Sequence, residues 1–345
     1  MDVGSDLASS ATDRGRGGPG CRRKTARGRP GHGKALKDFP FWSKSLPAPE
    51  VMFANLKAVQ SDGGSELVRT YPSDHRAADG ISNHFTERPR IQARFGHHVS
   101  PFEQFQRLAA AGRLAGSAEE QREQVYDAGR ECNLFNPAFA VWLLRRFGGE
   151  KLRVLDLSAG WGDRAVAAAA AGAECYHGTD PNPALQEGYT ALSGFLASAA
   201  PDTEVALAGD PAEDYAPPRE AYDVAILSPP FFDLEKYSDD CRQSIVKYQS
   251  YNSWLDKFLQ PYLEKACEFV RGDRARRGGV VITYTQNLRP SRGSEGKPIS
   301  DDTEKCMLKF GFELAEVCRF GVDCGCGAEK IRRRSAVVWV RRPRS

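Results

Sequence analysis

The stretch from Leu152 to Pro183, LRVLDLSAGWGDRAVAAAAAGAECYHGTDPNP, decides the architecture. Its opening run, Leu152 to Leu157, has the length and aliphatic character of a buried strand and carries an acid, Asp156. Gly160 and Gly162 break the chain into a loop, and an alanine-rich helix follows. A second strand then ends at another acid, Asp180. A strand, a glycine turn, a helix and a second strand closed by an acid form a βαβ unit of the mononucleotide-binding kind. Further on, YDVAILSPPFF reads as a strand running directly into Ser228, Pro229, Pro230 and Phe231.

Outward from this unit, strands and helices alternate. A helix is expected over Pro183–Ala199, and strands over Glu204–Ala208, Ala221–Leu227 and Val280–Tyr284. Tyr251 to Val270 keeps its large apolar residues on one helical face. A short helix, Asp302–Phe310, and a strand pair, Phe312–Cys318 with Ala336–Val340, close the chain. The pattern predicts an α/β fold with a Rossmann-like, mostly parallel sheet and one antiparallel C-terminal strand. On the N-terminal side, Ser117 and Glu120 form a capping box for a helix expected to run to about Cys132. Asn136 and Pro137 then start a helix that Gly148 and Gly149 stop.

The chain of 345 residues is 41% hydrophobic and 27% charged, ordinary values for a folded protein. No apolar run is long enough to span a membrane. Nine scattered cysteines suggest reduced thiols in an intracellular compartment, cytoplasm or nucleus. Cys318, Cys324 and Cys326 lack an obvious fourth ligand, so no metal is expected. Residues 1–37 hold almost no large apolar side chain and are expected to form a disordered basic tail, with nine Lys or Arg between Arg14 and Lys37. Such a tail suits nucleic acid or a nuclear signal. It would also suit an organelle transit peptide, against which Asp2, Asp6 and Asp13 count. Residues 38–116 show little periodicity and read as an accessory, lid or target-recognition region, with 117–345 as the main domain. Within that region Arg88 and Arg94 alternate with phenylalanines, a mixture suited to tracking a backbone and stacking on bases, or simply to a solvated lid. Nothing in the sequence sets the oligomeric state.

Gly160-x-Gly162-x-x-Ala165 fits a dinucleotide fingerprint, so a nicotinamide or flavin enzyme is one reading. Asp156 argues otherwise: a carboxylate at the strand end repels a diphosphate and attracts an ammonium or sulfonium. VLDLSAGWGDR resembles motif I of class I S-adenosylmethionine-dependent methyltransferases, and the resemblance covers roughly residues 132 to 341. It implies that Asp156, Ser158, Ala159, Gly160 and Gly162 hold the methionine part of the cofactor and that Asp180 grips the ribose hydroxyls. Asp210 would meet the adenine, with Glu213 and Asp214 as competitors. The sequence departs from the family pattern at Ser158, where many members carry glycine, and at the bulky Trp161. NLFNP resembles the motif preceding motif I, which gives Asn136 a cofactor role; an ordinary helix cap is the alternative.

SPPF resembles motif IV of methyltransferases acting on planar nitrogens: adenine and cytosine amino groups, or the glutamine amide of proteins. Two prolines cannot continue a central strand, so they stiffen a loop where open α/β sheets bind ligands. The resemblance implies that the Ser228 hydroxyl and Pro229 carbonyl accept the two N–H groups of the target. Pro230 would shape the turn, and Phe231 and Phe232 would stack on an extruded base. Tyr237 is a further candidate for the target pocket. The expectation is an S-adenosylmethionine-dependent methyltransferase acting on an amino nitrogen of adenine or cytosine in DNA or RNA. A protein glutamine methyltransferase is the rival, and a non-catalytic nucleic-acid-binding protein retaining the fold a third reading.

Overall fold

A computed structural model describes residues 47–61, 64–70, 80–86, 91–93, 98–99, 101–127, 129–131, 134–149, 151–219, 221–234, 237–238, 240–270, 279–288, 290, 296–323 and 332–342. In chain order the strands are β1 (Glu66–Thr70), β2 (Ile91–Ala93), β3 (His98–Val99), β4 (Gly129–Glu131), β5 (Arg153–Asp156) and β6 (Cys175–Thr179). They continue with β7 (Glu204–Ala208), β8 (Val224–Leu227), β9 (Val280–Thr283), β10 (Phe312–Asp323) and β11 (Arg332–Arg341). The helices are α1 (Pro49–Lys57), α2 (Pro101–Ala110), α3 (Ala118–Asp127), α4 (Pro137–Phe147), α5 (Asp163–Ala171) and α6 (Gln186–Ala199). After these come α7 (Ser244–Lys247), α8 (Tyr251–Trp254), α9 (Gln260–Phe269) and α10 (Ile299–Lys309).

Eight strands form one sheet in the order β1-β10-β11-β9-β8-β5-β6-β7. The run β9-β8-β5-β6-β7 is parallel throughout. β11 runs antiparallel to both of its neighbours, β9 and β10. This is a Rossmann-like sheet, mostly parallel with an antiparallel C-terminal strand. β8 and β9 are buried along their whole length, because helices cover both faces of a parallel sheet. From β5 the chain proceeds outward through β6 to β7, then crosses back to place β8 on the other side of β5. The switch point therefore lies between β5 and β8, and a crevice opens at the C-terminal ends of those strands.

Small residues bring the helices close. α5 is DRAVAAAAA, its residues Asp163 to Ala170 all buried, and its alanines combine the best helix propensity with the least volume. α4 lies beside it with Phe139, Trp142 and Leu143 in the same core. The Asn136 side chain accepts from Phe139 N at 3.0 Å, so its structural role is the N-cap. The capping box is reciprocal: Ser117 N donates to Glu120 Oε2 at 2.7 Å, and Glu120 N to Ser117 Oγ at 3.2 Å. Its helix is shorter than expected, because Gly129 begins β4 of a separate three-stranded sheet, β3-β2-β4.

The expected helix Tyr251–Val270 contains a π-helical turn, Leu255–Leu259. Pro261 accounts for it: proline has no N–H for the carbonyl four residues back, and its ring crowds that turn. The region expected over 38–116 contributes to the main fold. β1 adds to the sheet edge beside β10, and Met52, Phe53, Leu56 and Ile81 share the core with α4 and α5. Cys175, Cys267, Cys306 and Cys318 are free and buried, whereas Cys241 is disulfide-bonded, a departure from the all-thiol expectation. No helix among the described residues is long and apolar enough to cross a membrane. The expected tail over 1–37 lies outside the described residues.

Candidate active site

The loop after β5 is built on two left-handed glycines, Gly160 at φ +57° and Gly162 at φ +93°. A Cβ on Gly162 would lie 2.4 Å from the Leu192 side chain, so helix α6 packs directly on the loop. Asp180, just past β6, accepts from Gly160 N at 3.2 Å and from Asn182 N at 3.0 Å. Burial raises its pKa to about 6, although those two amide bonds and the Arg164 charge pull the other way. The loop is also gripped from outside. Ser82 Oγ donates to Asp163 Oδ2 at 2.8 Å, and Thr86 Oγ1 donates to the Trp161 carbonyl at 3.2 Å.

Asp156 is turned toward the chain's own donors and does not line the cleft. It is fully buried, and its carboxylate is saturated by the chain's own donors. Oδ2 receives Arg164 Nε and the Tyr176 hydroxyl, each at 2.6 Å; Oδ1 receives Ser158 N at 2.9 Å and Arg164 Nη2 at 3.2 Å. Paired with Arg164, Asp156 is not a lone carboxylate facing a cofactor. Asp163, buried in the first turn of α5, lines the cleft. A diphosphate would sit at such a helix N-terminus, and here the position already holds a carboxylate.

A cleft opens along the strand ends. After β5 its wall comprises Leu157 to Trp161, Asp163 and Arg164; after β6, Asp180, Pro181, Asn182 and Leu185; after β7, Ala212 and Glu213; after β8, Ser228 and Pro230. The segment beyond the SPPF turn closes the other side with Tyr237 and Arg242 to Ile245, joined by Phe258 from the π turn and Phe135. The Trp161 and Tyr237 rings meet edge to face at 5.7 Å. Phe135 lies under the Arg164 guanidinium at 5.4 Å.

Of the residues singled out in the sequence, Ser158, Ala159, Gly160, Asp180, Ser228, Pro230 and Tyr237 line this cleft. Asp156, Asn136, Gly162, Pro229 and Asp210 do not. Asp210 is exposed, and its backbone is tied to Thr179 Oγ1, while its competitor Glu213 lies in the wall. Phe231 and Phe232 are 8% and 5% exposed and pack into the core, Phe231 against Tyr284 and Phe232 against Tyr251 and Trp254. Phe232 has φ +47°, unusual for an aromatic residue, so the SPPF turn is held in a tight conformation. The aromatic side chains that line the cleft are Trp161, Tyr237, Phe258 and Phe135, of which Tyr237 is the least buried. Arg88 and Arg94 lie outside the described residues, as do Cys324 and Cys326. Among the described residues no group of His, Cys, Asp or Glu is placed to hold a metal ion.

Trp161, Arg164, Phe258 and the Arg242–Ile245 segment are not legible as site residues in the sequence. Trp161 carries one signal, a bulky residue between two glycines. The others reach the cleft only through tertiary packing.

No family model matches this chain, and no curated protein matches it. Solved structures match it in outline. A protein from Pyrococcus horikoshii, provisionally described as an RNA methyltransferase, is 19% identical over 59% of this chain and 83% of its own, with a TM-score of 0.37. Magnesium protoporphyrin IX methyltransferase from Synechocystis PCC 6803, with bound SAM, is 16% identical over 70% of this chain and 91% of its own, at 0.38. TrmN from Thermus thermophilus is 16% identical over 60% of this chain and 49% of its own, at 0.34. Likenesses this distant carry no argument about chemistry, and the fold rests on the strand order itself.

Proposed function

We propose that this chain is an S-adenosylmethionine-dependent methyltransferase that methylates an exocyclic amino nitrogen of adenine or cytosine in DNA or RNA. One observation carries the reading: the glycine loop with Asp180 and the SPPF turn line a single cleft at the switch point of the sheet. The residues present fit the cofactor. Gly160 has no side chain to block the cleft, Asp180 offers a carboxylate to a ribose diol, and Glu213 borders the far end. Asp163 disfavours the diphosphate of a dinucleotide. The cofactor, when bound, supplies a methyl group on a positively charged sulfur.

The chain's own part is binding and positioning. An exocyclic amino nitrogen is a poor nucleophile, because its lone pair is delocalised into the ring. The Ser228 hydroxyl, in the cleft wall, accepts one of its N–H groups and favours a pyramidal nitrogen facing the methyl group; Pro229, expected to take the second, does not line the cleft. No strong base is required, since orientation supplies most of the rate. Tyr237, half-buried in the cleft wall, provides a stacking face for the base, the role that Phe231 and Phe232, outside the lining, leave open.

The test is transfer of radiolabelled methyl from S-adenosylmethionine to mixed DNA and RNA, followed by nucleoside mass spectrometry. Label on a nucleobase amino group, abolished by Ser228→Ala and reduced by Tyr237→Ala, is the expected result. Label found only on a glutamine of protein would sink the nucleobase reading and leave the fold and cofactor assignments intact.

A further inference from the structure

The glycine loop and the SPPF turn meet on one hydroxyl group. Ser158 Oγ lies 2.7 Å from the Tyr262 hydroxyl, and the Ser228 backbone N–H donates to the same oxygen at 3.3 Å. Tyr262 sits on α9 just past the π turn and is 1% exposed. Burial, with the charge of Asp156 behind it, pushes this phenol well up, so it keeps its proton throughout the neutral range.

The direction of the Tyr262–Ser158 bond follows from counting donors. Were Ser158 the donor, the Tyr262 proton would be buried without an acceptor among the described residues, a costly arrangement. Tyr262 therefore donates. A serine oxygen has two lone pairs, and the Tyr262 O–H and Ser228 N–H fill both. What remains is the Ser158 proton, on a residue that lines the cleft.

We propose that Tyr262 is a positioning residue whose bond to Ser158 locks the glycine loop to the SPPF turn and presents the Ser158 hydroxyl proton to an acceptor atom of the substrate. The inference rests on the methyl-transfer reading for its chemistry but not for its geometry. The acceptor it fits is the ring nitrogen beside the amino group, on the edge by which a flipped adenine or cytosine is read. A glycine at position 158, usual in the resembled motif, supplies neither the lock nor the donor.

The experiment uses the full chain with Tyr262→Phe, Ser158→Ala and the two combined. Turnover, affinity for S-adenosylhomocysteine and hydrogen exchange at the Ser228 amide are measured in each. Tyr262→Phe keeps the shape of the core and should lower kcat about tenfold, the worth of one ordinary to strong hydrogen bond, with cofactor affinity unchanged. Ser158→Ala should lose more, and the double variant no more than Ser158→Ala alone, because Tyr262 acts through Ser158. Exchange at the Ser228 amide should quicken in all three. Losses that multiply, or an unchanged Ser228 amide, overturn the inference. If the native chain transfers no methyl to any polynucleotide, the functional reading fails, and amide exchange alone then decides whether the lock exists.

Discussion

Asp180 shows how the site trades stability for binding. Burial raises its pKa from an ordinary 3.8 to about 6, so the fold prefers the protonated form while a ribose diol prefers the carboxylate. With the folded value above the unfolded one, the group's contribution to stability is complete below pH 4 and is lost as pH rises through about 6. Asp180→Asn should therefore melt higher than the native chain at pH 7 and about the same at pH 4. The same variant should bind S-adenosylhomocysteine on the order of ten to a hundred times more weakly, the range for removing a charged hydrogen bond. Thermal melts at the two pH values and calorimetry check the pair of effects; a lower melting point at pH 7 contradicts the assigned direction. In the native chain, cofactor affinity should fall as pH drops through about 6.

Asp156 and Arg164 pose the opposite case. Their side chains are 0% and 6% exposed, and each neutralises the other. Arg164→Met would strand a buried carboxylate with only Tyr176 and the Ser158 amide as partners. A loss of about 3–5 kcal/mol is expected in urea unfolding, as for other broken buried pairs. Replacing both partners with apolar residues should recover part of that loss. This pair also shows a limit of reading residues in isolation. The acid at the strand end is visible in the sequence, but its partner eight positions on reads only as part of an alanine helix. Helical geometry and the sharp turn at Gly162 bring the guanidinium back to the carboxylate.

At the scale of elements, periodicity serves wherever burial is one-sided or complete. The alternation from β5 to β9 is legible because β8 (VAIL) and β9 (VVIT) are nearly continuous apolar runs and the helices between the strands carry clear starts and stops. What escapes is structure that depends on distant partners. β1 is five residues, ELVRT, and exists as a strand because β10 offers it an edge. The 3₁₀ turn Ile81–His84 has no periodic signature, yet it places Ser82 against Asp163 and brings Thr86 to the glycine loop. Its seat is Gly188 on α6, where a Cβ would lie 2.2 Å from Thr86 Cγ2 and 2.7 Å from the Phe85 carbonyl. Gly188→Ala should thus cost about 1–3 kcal/mol, as overpacking does, and should release residues 80–86 to faster hydrogen exchange. Because that turn braces Asp163 and Trp161, cofactor affinity should fall with it. Unchanged exchange over 80–86 would mean that the turn is held from elsewhere.

The whole molecule combines a cleft with little net charge and a chain whose basic residues are concentrated elsewhere. Net charge is only +3, yet nine Lys or Arg lie between Arg14 and Lys37, outside the described residues. The cleft itself mixes Asp163, Asp180 and Glu213 with Arg164 and Arg242, and the first of these cations is consumed by Asp156. A polynucleotide would thus gain few phosphate contacts from the cleft and must gain them from other surfaces. On the nucleobase reading the N-terminal tail is the strongest source, since each phosphate it neutralises releases a counterion. Removing the basic segment 1–37 should leave S-adenosylhomocysteine affinity unchanged, because the cleft is lined by residues from Phe135 onward. Binding of single-stranded RNA or DNA should weaken, and the slope of log affinity against log salt should become shallower by about 0.7 for each phosphate that the tail would have neutralised. Turnover on a free nucleoside, which has no phosphates, should be indifferent to the deletion. An unaltered salt slope would assign the tail to another task and shift the search for the phosphate surface to the arginine-rich β10–β11 hairpin.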